Sequence, residues 1–330
     1  MTTLKHEERI FGMRRFAQQV ASAALALATM VAMASCSFTR TSSPAESTTS
    51  DSDDVTVVSS LPQWGSLASY IAGDDITVTS IVSSSTTNPH DFEPTTKNVS
   101  TIRAADLVIV NGAGYDSWAT KSASSSATIV SAAQTVGAMD GDNPHLWFSR
   151  DVRKSMAKEI EEALAKAMPS KSSSFAARLA TWLDKESSLD KTISKLAKNH
   201  DGTRYAATDA IAYYLMSDLG FDDSTPDGYS KATSSESEPS ASDIKEFTSL
   251  ITNSRIDLLV TNADEQSSVA KILSAAAKAR SIPIVSVSEK MPDGDDDLLK
   301  WISDVVTTIS TALGDDASPS STATTSSSGA

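Results

Sequence analysis

The sequence predicts an α/β protein of two lobes, each a parallel sheet flanked by helices, joined by one long linking helix. Three observations predict this. Short β-branched runs alternate with helical segments in both halves of the chain, the order that βαβ units require. Those runs are short and mostly β-branched, as in buried parallel strands. Between the halves, residues 170–200 contain neither Pro nor Gly, so a single helix can run unbroken from one half to the other.

In chain order, the first segment is a leader, 1–35. Lys5, Arg9, Arg14 and Arg15 form a basic head, followed by small apolar residues from Val20 to Ala34. That run is too short to span a bilayer comfortably and has the composition of a secretory signal. It ends in Met33-Ala34-Ser35-Cys36, and Cys36 is the only cysteine. The arrangement resembles a bacterial lipobox, in which the cysteine is lipidated and becomes the new N-terminus; an ordinary cleaved signal is the alternative. With one cysteine there is no intramolecular disulfide. Residues 36–54 are rich in Ser, Thr and acids and too poor in apolar residues to repay ordering, so a flexible tether is expected.

The N-terminal lobe is expected over 55–170, with strands in 55–60, 76–82 and 106–111. An amphipathic helix then stops at Pro169. The linking helix is expected over 171–200, with a coiled-coil dimer arm as its competitor. The C-terminal lobe follows over 201–314, with strands in 203–208, 256–261 and 282–288. Residues 315–330 return to Ser and Thr and are expected to be disordered. A formal charge of -14 argues against nucleic acid or an anionic membrane surface as partner.

The chain has four histidines. His6 lies in the leader, and His200 lies in a polar helix-to-strand loop. His90 and His145 both stand in the tripeptide Asn-Pro-His, in "TNPHDFEP" and "DNPHLWFS". Proline fixes its own φ and holds its predecessor extended, so each imidazole is presented from a stiffened loop. In parallel α/β lobes such loops lie at the carboxyl edge, where ligands bind. A lone histidine is more often structural; two matching presentations in a His-poor chain point to a shared metal. "NGAGYDSW" lacks the third glycine of a dinucleotide turn. Tyr115, Trp118, Trp147 and Phe148 read as packing beside these loops, and the acidic runs at 140–144 and 293–297 as solvated turns.

Several segments together resemble the zinc/manganese-type solute-binding lipoproteins of bacterial ABC importers. "NPHDFEPTTKNVSTIRAADLVIVNGAGYDSW" is similar to that family's first ligand loop, helix, strand and turn. "DNPHLWFSRDV" is similar to its second ligand loop, and "SSESEPSASDIKEF" to its Glu-Pro-Ser segment. The resemblance implies two lobes joined by a long helix, with one metal held between them. It also implies two further ligands. Where the family has His or Glu, eleven residues before a helix-closing Gly, this chain has Asp209 before Gly220. Where the family has Asp before the last helix, this chain has Glu289, with Glu265 as a backup. A helix N-cap is the other reading of Asp209, and a surface acid paired with Lys290 the other reading of Glu289.

Two imidazoles and two carboxylates suit Zn²⁺ and also the harder Mn²⁺. One Zn²⁺ or Mn²⁺ is therefore expected as the transported ligand, zinc slightly ahead, with affinity falling as acid protonates the imidazoles. The implied function is capture of a divalent transition metal outside the cytoplasm, by a protein held to the outer face of the cell membrane through Cys36. The metal would be delivered to an ABC permease, and the protein would act as a monomer and not as an enzyme. A secreted metallohydrolase is a different reading, weakened by the lack of any HExxH-type motif. A surface adhesin with a structural metal is a third.

Overall fold

The computed structural model describes residues 55–82, 92–235, 237–265, 267–292 and 294–315. The leader, the tether, Cys36, His90 and residues 316–330 lie outside them.

The first sheet is built from β1 (Val57–Ser59), β2 (Val78–Ser80), β3 (Leu107–Val110) and β4 (Thr128–Ser131), all parallel, in the order β2-β1-β3-β4. β1 and β3 are buried along their whole length, whereas the edge strand β2 keeps Thr79 exposed. The helices of this half are α1 (Pro62–Ala72), α2 (Thr96–Arg103), α3 (Ser117–Ser122), α4 (Ala132–Val136) and α5 (Arg150–Ala167). Pro62 at the first helical position starts α1, and Trp64, Leu67, Ala68 and Ile71 place one apolar stripe on the core. Thr95 and Asn98 close a capping box on α2. α5 ends at Ala167 because Met168, preceding Pro169, is forced into extended backbone (φ -133°, ψ 75°).

α6 (Ser172–Asn199) runs unbroken between the two sheets. Its 28 residues span about 42 Å at the usual helical rise. Phe175, Trp182, Leu189 and Leu196 recur every seventh residue on its buried face. That face packs against α1, α5, α7 (Tyr213–Asp218) and α11 (Leu298–Ala312), so it is consumed inside the chain, not offered to a coiled-coil partner.

The second sheet repeats the first: β5 (Arg204–Ala207), β6 (Asp222–Asp223), β7 (Leu258–Asn262) and β8 (Ile284–Val287), parallel, in the order β6-β5-β7-β8. Besides α7 and α11 it carries α8 (Asp227–Ser234), α9 (Ala241–Thr252) and α10 (Ser268–Ala279). Ser240 and Asp243 form the capping box of α9, which accounts for the Ser of the Glu-Pro-Ser segment. β4 and β6 were not legible as strands. β4 opens with an exposed Thr128, and β6 is two exposed aspartates whose backbone is recruited by β5.

In both sheets the chain moves outward in opposite directions from two central strands, β1 and β3 in one, β5 and β7 in the other. Each pair leaves a crevice at its carboxyl ends, the position where open α/β sheets bind ligands.

One buried ion pair ties α6 to this region. Arg153 of α5 and Glu186 of α6 are both fully buried, with Nη2 donating to Oε1 at 2.7 Å and Nε to both carboxylate oxygens at 3.2 Å. Arg153 Nη1 also donates to the Trp147 carbonyl at 3.1 Å, two residues beyond His145. Removing one partner strands a charge in the core. Glu186→Ala is expected to cost about 3–5 kcal/mol in urea unfolding, and Arg153→Met combined with Glu186→Leu to recover most of that loss. An equal loss in the double variant would mean that the pair itself, and not the stranded charge, carries the stability.

Candidate metal centre

The turn after β3 sets the frame. Gly112, Ala113 and Gly114 all have positive φ, and a Cβ on Gly112 would lie 2.7 Å from both Ala133 Cβ and Ser131 Oγ. The buried Asp116 carboxylate closes the turn, accepting from the Asn111 and Gly112 amides at 2.6 and 2.8 Å and from Ser60 Oγ at 2.5 Å. Burial pushes this carboxyl up, and the three donors oppose the shift. Asn111 is held by Trp64 Nε1 at 3.0 Å and donates to the Pro144 carbonyl at 2.8 Å. The β3 turn is thereby fastened to the Asn143-Pro144-His145 loop.

His145 is buried, 5% exposed. Asn143 Oδ1 accepts from the His145 amide at 2.9 Å and lies 2.8 Å from its Nδ1, while Asn143 Nδ2 donates to the Ala210 carbonyl at 2.8 Å. With the Asn143 amide oriented by these contacts, Nδ1 carries the proton in the neutral ring. Nε2 then presents a lone pair, the form a metal ligand needs. Tyr214 supports the same loop, donating to the Asn143 carbonyl at 2.9 Å. Trp147 stacks edge-on against His145 with centroids 5.5 Å apart.

Facing Nε2 is Glu289, from the loop after β8. It is 4% exposed, and its Oε1 lies 3.4 Å from His145 Nε2. The same Oε1 accepts from Tyr115 Oη at 2.5 Å. Burial, with the Glu289 carboxylate beside it, raises the Tyr115 hydroxyl well above its ordinary value, so it remains a donor. The Glu289 amide donates to Asp264 Oδ2 at 3.2 Å, and its carbonyl accepts from Gln63 Nε2 at 3.1 Å. The surface-acid reading of Glu289 is therefore wrong: Lys290 pairs with Asp264 Oδ1 at 3.4 Å instead.

Asp209 stands half-buried after β5, before a 3-10 turn over Ala210–Ala212. It makes no side-chain capping bond; its Oδ2 accepts from Asn262 Nδ2 at 2.9 Å, across the crevice between β5 and β7. The Asn143–Ala210 bond sets the backbone next to Asp209 against the His145 loop. Glu265 lies in the loop after β7, where it and Asp209 both help raise the hydroxyl of Tyr229, behind the larger effect of burial. Among the described residues no three His, Cys, Asp or Glu side chains converge as a metal cluster. The structure thus brings His145 and Glu289 together and places neither Asp209 nor Glu265 in contact with that pair among the described residues; His90 lies outside them.

Tyr115 does more than pack, and Gln63, Asn143 and Asn262 carry contacts that sequence reasoning passed over. Asn143 had one signal, the shared Asn two residues before each histidine. Trp147 and Phe148 are buried and Trp118 stacks on Phe92 at 4.7 Å, as packing residues should. Asp142 closes a turn onto the Met139 amide at 2.8 Å, and His200 ends α6 with Nε2 3.2 Å from Asp315 Oδ2.

The chain is 26% identical over 261 residues to the zinc-binding protein AdcA of Streptococcus pyogenes, covering 68% of this chain and 50% of AdcA. It spans about half the length of the AdcA relatives it matches. It is 24% identical over 294 residues to the metal ABC transporter substrate-binding lipoprotein ScbA of Streptococcus cristatus, covering 82% of this chain and 91% of ScbA. Its fold matches the laminin-binding adhesin Lmb of Streptococcus agalactiae with a TM-score of 0.66 at 19% identity, over 78% of this chain and 99% of that one. The ZnuA family, described as zinc-uptake complex component A, periplasmic, matches residues 57–312, and the chain belongs to that family.

Proposed function

We propose that this chain is the extracytoplasmic capture component of an ABC importer. It binds one divalent transition metal, zinc ahead of manganese, between its lobes and delivers it to a membrane permease. It works as a monomer tethered to the outer face of the membrane through lipidated Cys36, and it is a carrier, not an enzyme. The ligands are His90 and His145 from the N-terminal lobe with Asp209 and Glu289 from the C-terminal lobe, and Glu265 in reserve. The segmentation carries over: leader 1–35, tether 36–54, lobes 55–170 and 201–314 on either side of the helix at 171–200, and tail 315–330.

One observation carries this reading. His145 Nε2 and Glu289 Oε1, from opposite halves of the chain, face each other at 3.4 Å inside the protein. An imidazole nitrogen and a carboxylate oxygen at this separation are two ligand types that one divalent ion accepts together. Two donors on one tetrahedral Zn²⁺, with bonds of about 2.0–2.2 Å, stand about 3.3–3.6 Å apart; the right angle of an octahedral ion would bring them to about 2.8–3.1 Å. The observed separation lies within the span of two ligands on one such ion, and AdcA, a relative, is named for zinc binding. Asp209 completes the set by turning from Asn262 toward the His145 loop. Four protein ligands leave no coordination position for an activated water, which favours carriage over hydrolysis.

Native mass spectrometry of metal-stripped protein, offered zinc and manganese in competition, is expected to show one equivalent bound, chiefly zinc. His145→Ala and Glu289→Ala should each lose it while remaining folded by circular dichroism; undiminished binding by both would sink the proposal. Asp209→Ala should weaken binding, and an unchanged affinity there would move that role to Glu265. Asn143→Ala, which touches no metal, should cost roughly 10–100-fold in affinity by freeing the His145 ring, measured by competition against a chromophoric chelator.

A further inference from the structure

Gln63 presents an anomaly outside the ligand set. It sits in the first turn of α1, at the carboxyl edge of β1, and is only 2% exposed. Its amide makes a single bond, Nε2 donating to the Glu289 carbonyl at 3.1 Å, across 226 residues of chain. Its Oε1 accepts no hydrogen bond from any described residue. A buried amide whose Oε1 meets no donor among the described residues contributes less to stability than a fully bonded one. A leucine of similar volume would fill the space at less cost. A residue that is locally unfavourable, at the edge of a site, is what a functional constraint leaves behind.

Its neighbour on the same helix face strengthens the point. Ser66, one turn later, donates to the Asp296 carbonyl at 2.6 Å and accepts from the Leu298 amide at 3.0 Å. Residues three apart on a helix project side by side, so α1 grips the connection between β8 and α11 at both ends, Glu289 and Leu298. Glu289 is consequently held from two sides: Asp264 of the C-terminal lobe takes its amide, and Gln63 of the N-terminal lobe takes its carbonyl. Tyr115 orients the carboxylate only if the main chain beneath it is already in register.

We infer that Gln63 is a positioning residue for Glu289: by holding its carbonyl across the lobe interface, it sets the carboxylate opposite His145. The inference rests on the metal-capture reading above, with Glu289 as a ligand. Gln63 touches no metal and acts through the main chain alone. It therefore favours retention of bound metal, and breaking its one bond is part of opening the lobes for release.

The test uses the full chain with Gln63→Leu and, as a volume-matched unbranched alternative, Gln63→Met, each titrated with zinc chloride against a chromophoric chelator and melted without metal. Expected are a roughly tenfold or greater rise in dissociation constant, carried by a faster off-rate, and a metal-free melting temperature that is unchanged or higher. Affinity within twofold of the parent in both variants would overturn the inference, as would a metal-free melting temperature lowered by several degrees in both, which would make Gln63 structural. Failure of the parent chain to bind zinc or manganese at all would instead overturn the capture reading.

Discussion

The placement of one imidazole nitrogen against one carboxylate oxygen organises this molecule. His145 and Glu289 come from different sheets, and neither loop could hold its side chain there alone. On the His145 side, Asn111 grips the Pro144 carbonyl and Asn143 fixes the ring, while Arg153 takes the Trp147 carbonyl from behind. On the Glu289 side, Tyr115, Asp264 and Gln63 address the carboxylate, the amide and the carbonyl in turn. The two side chains are held close by bonds made elsewhere, so their placement is set before any ligand arrives.

The helical scaffold explains why those bonds can be trusted with the task. Arg153 links the His145 loop, α5 and α6 through one guanidinium, so the loop is referenced to the longest rigid element in the described chain. A fixed planar fork suits this better than a flexible ammonium. At the far side, Trp301 of α11 lies against Phe148 with ring centroids 5.3 Å apart. The last described helix therefore packs on the loop that carries the first half's described histidine.

Much of this was legible in the sequence, for identifiable reasons. The four central strands announce themselves because parallel strands covered on both faces are rich in apolar and β-branched residues; of the four edge strands β2 and β8 keep β-branched runs, whereas β4 opens on an exposed Thr128 and β6 is two exposed aspartates. His145 stood out because proline-braced histidines are scarce here, and Glu289 through its resemblance to a family position. Tyr115 and Gln63 were obscure for the opposite reason. Their roles depend on partners 174 and 226 residues away, and no local spacing encodes such a contact. Asp209 shows the limit from the other side: its position was found, but its bond to Asn262 is a tertiary fact.

The sequence distance between Gln63 and Glu289 has a kinetic corollary. Contacts that close such large loops are slow to form, because chain entropy is surrendered long before the reward arrives. Either sheet can collapse on its own local pairings, but the site has no existence until nearly the whole polypeptide has been made and both halves have docked. The pairing of His145 with Glu289 is thus a property only of the finished molecule, and a chain cut short before β8 holds one side of it without the other.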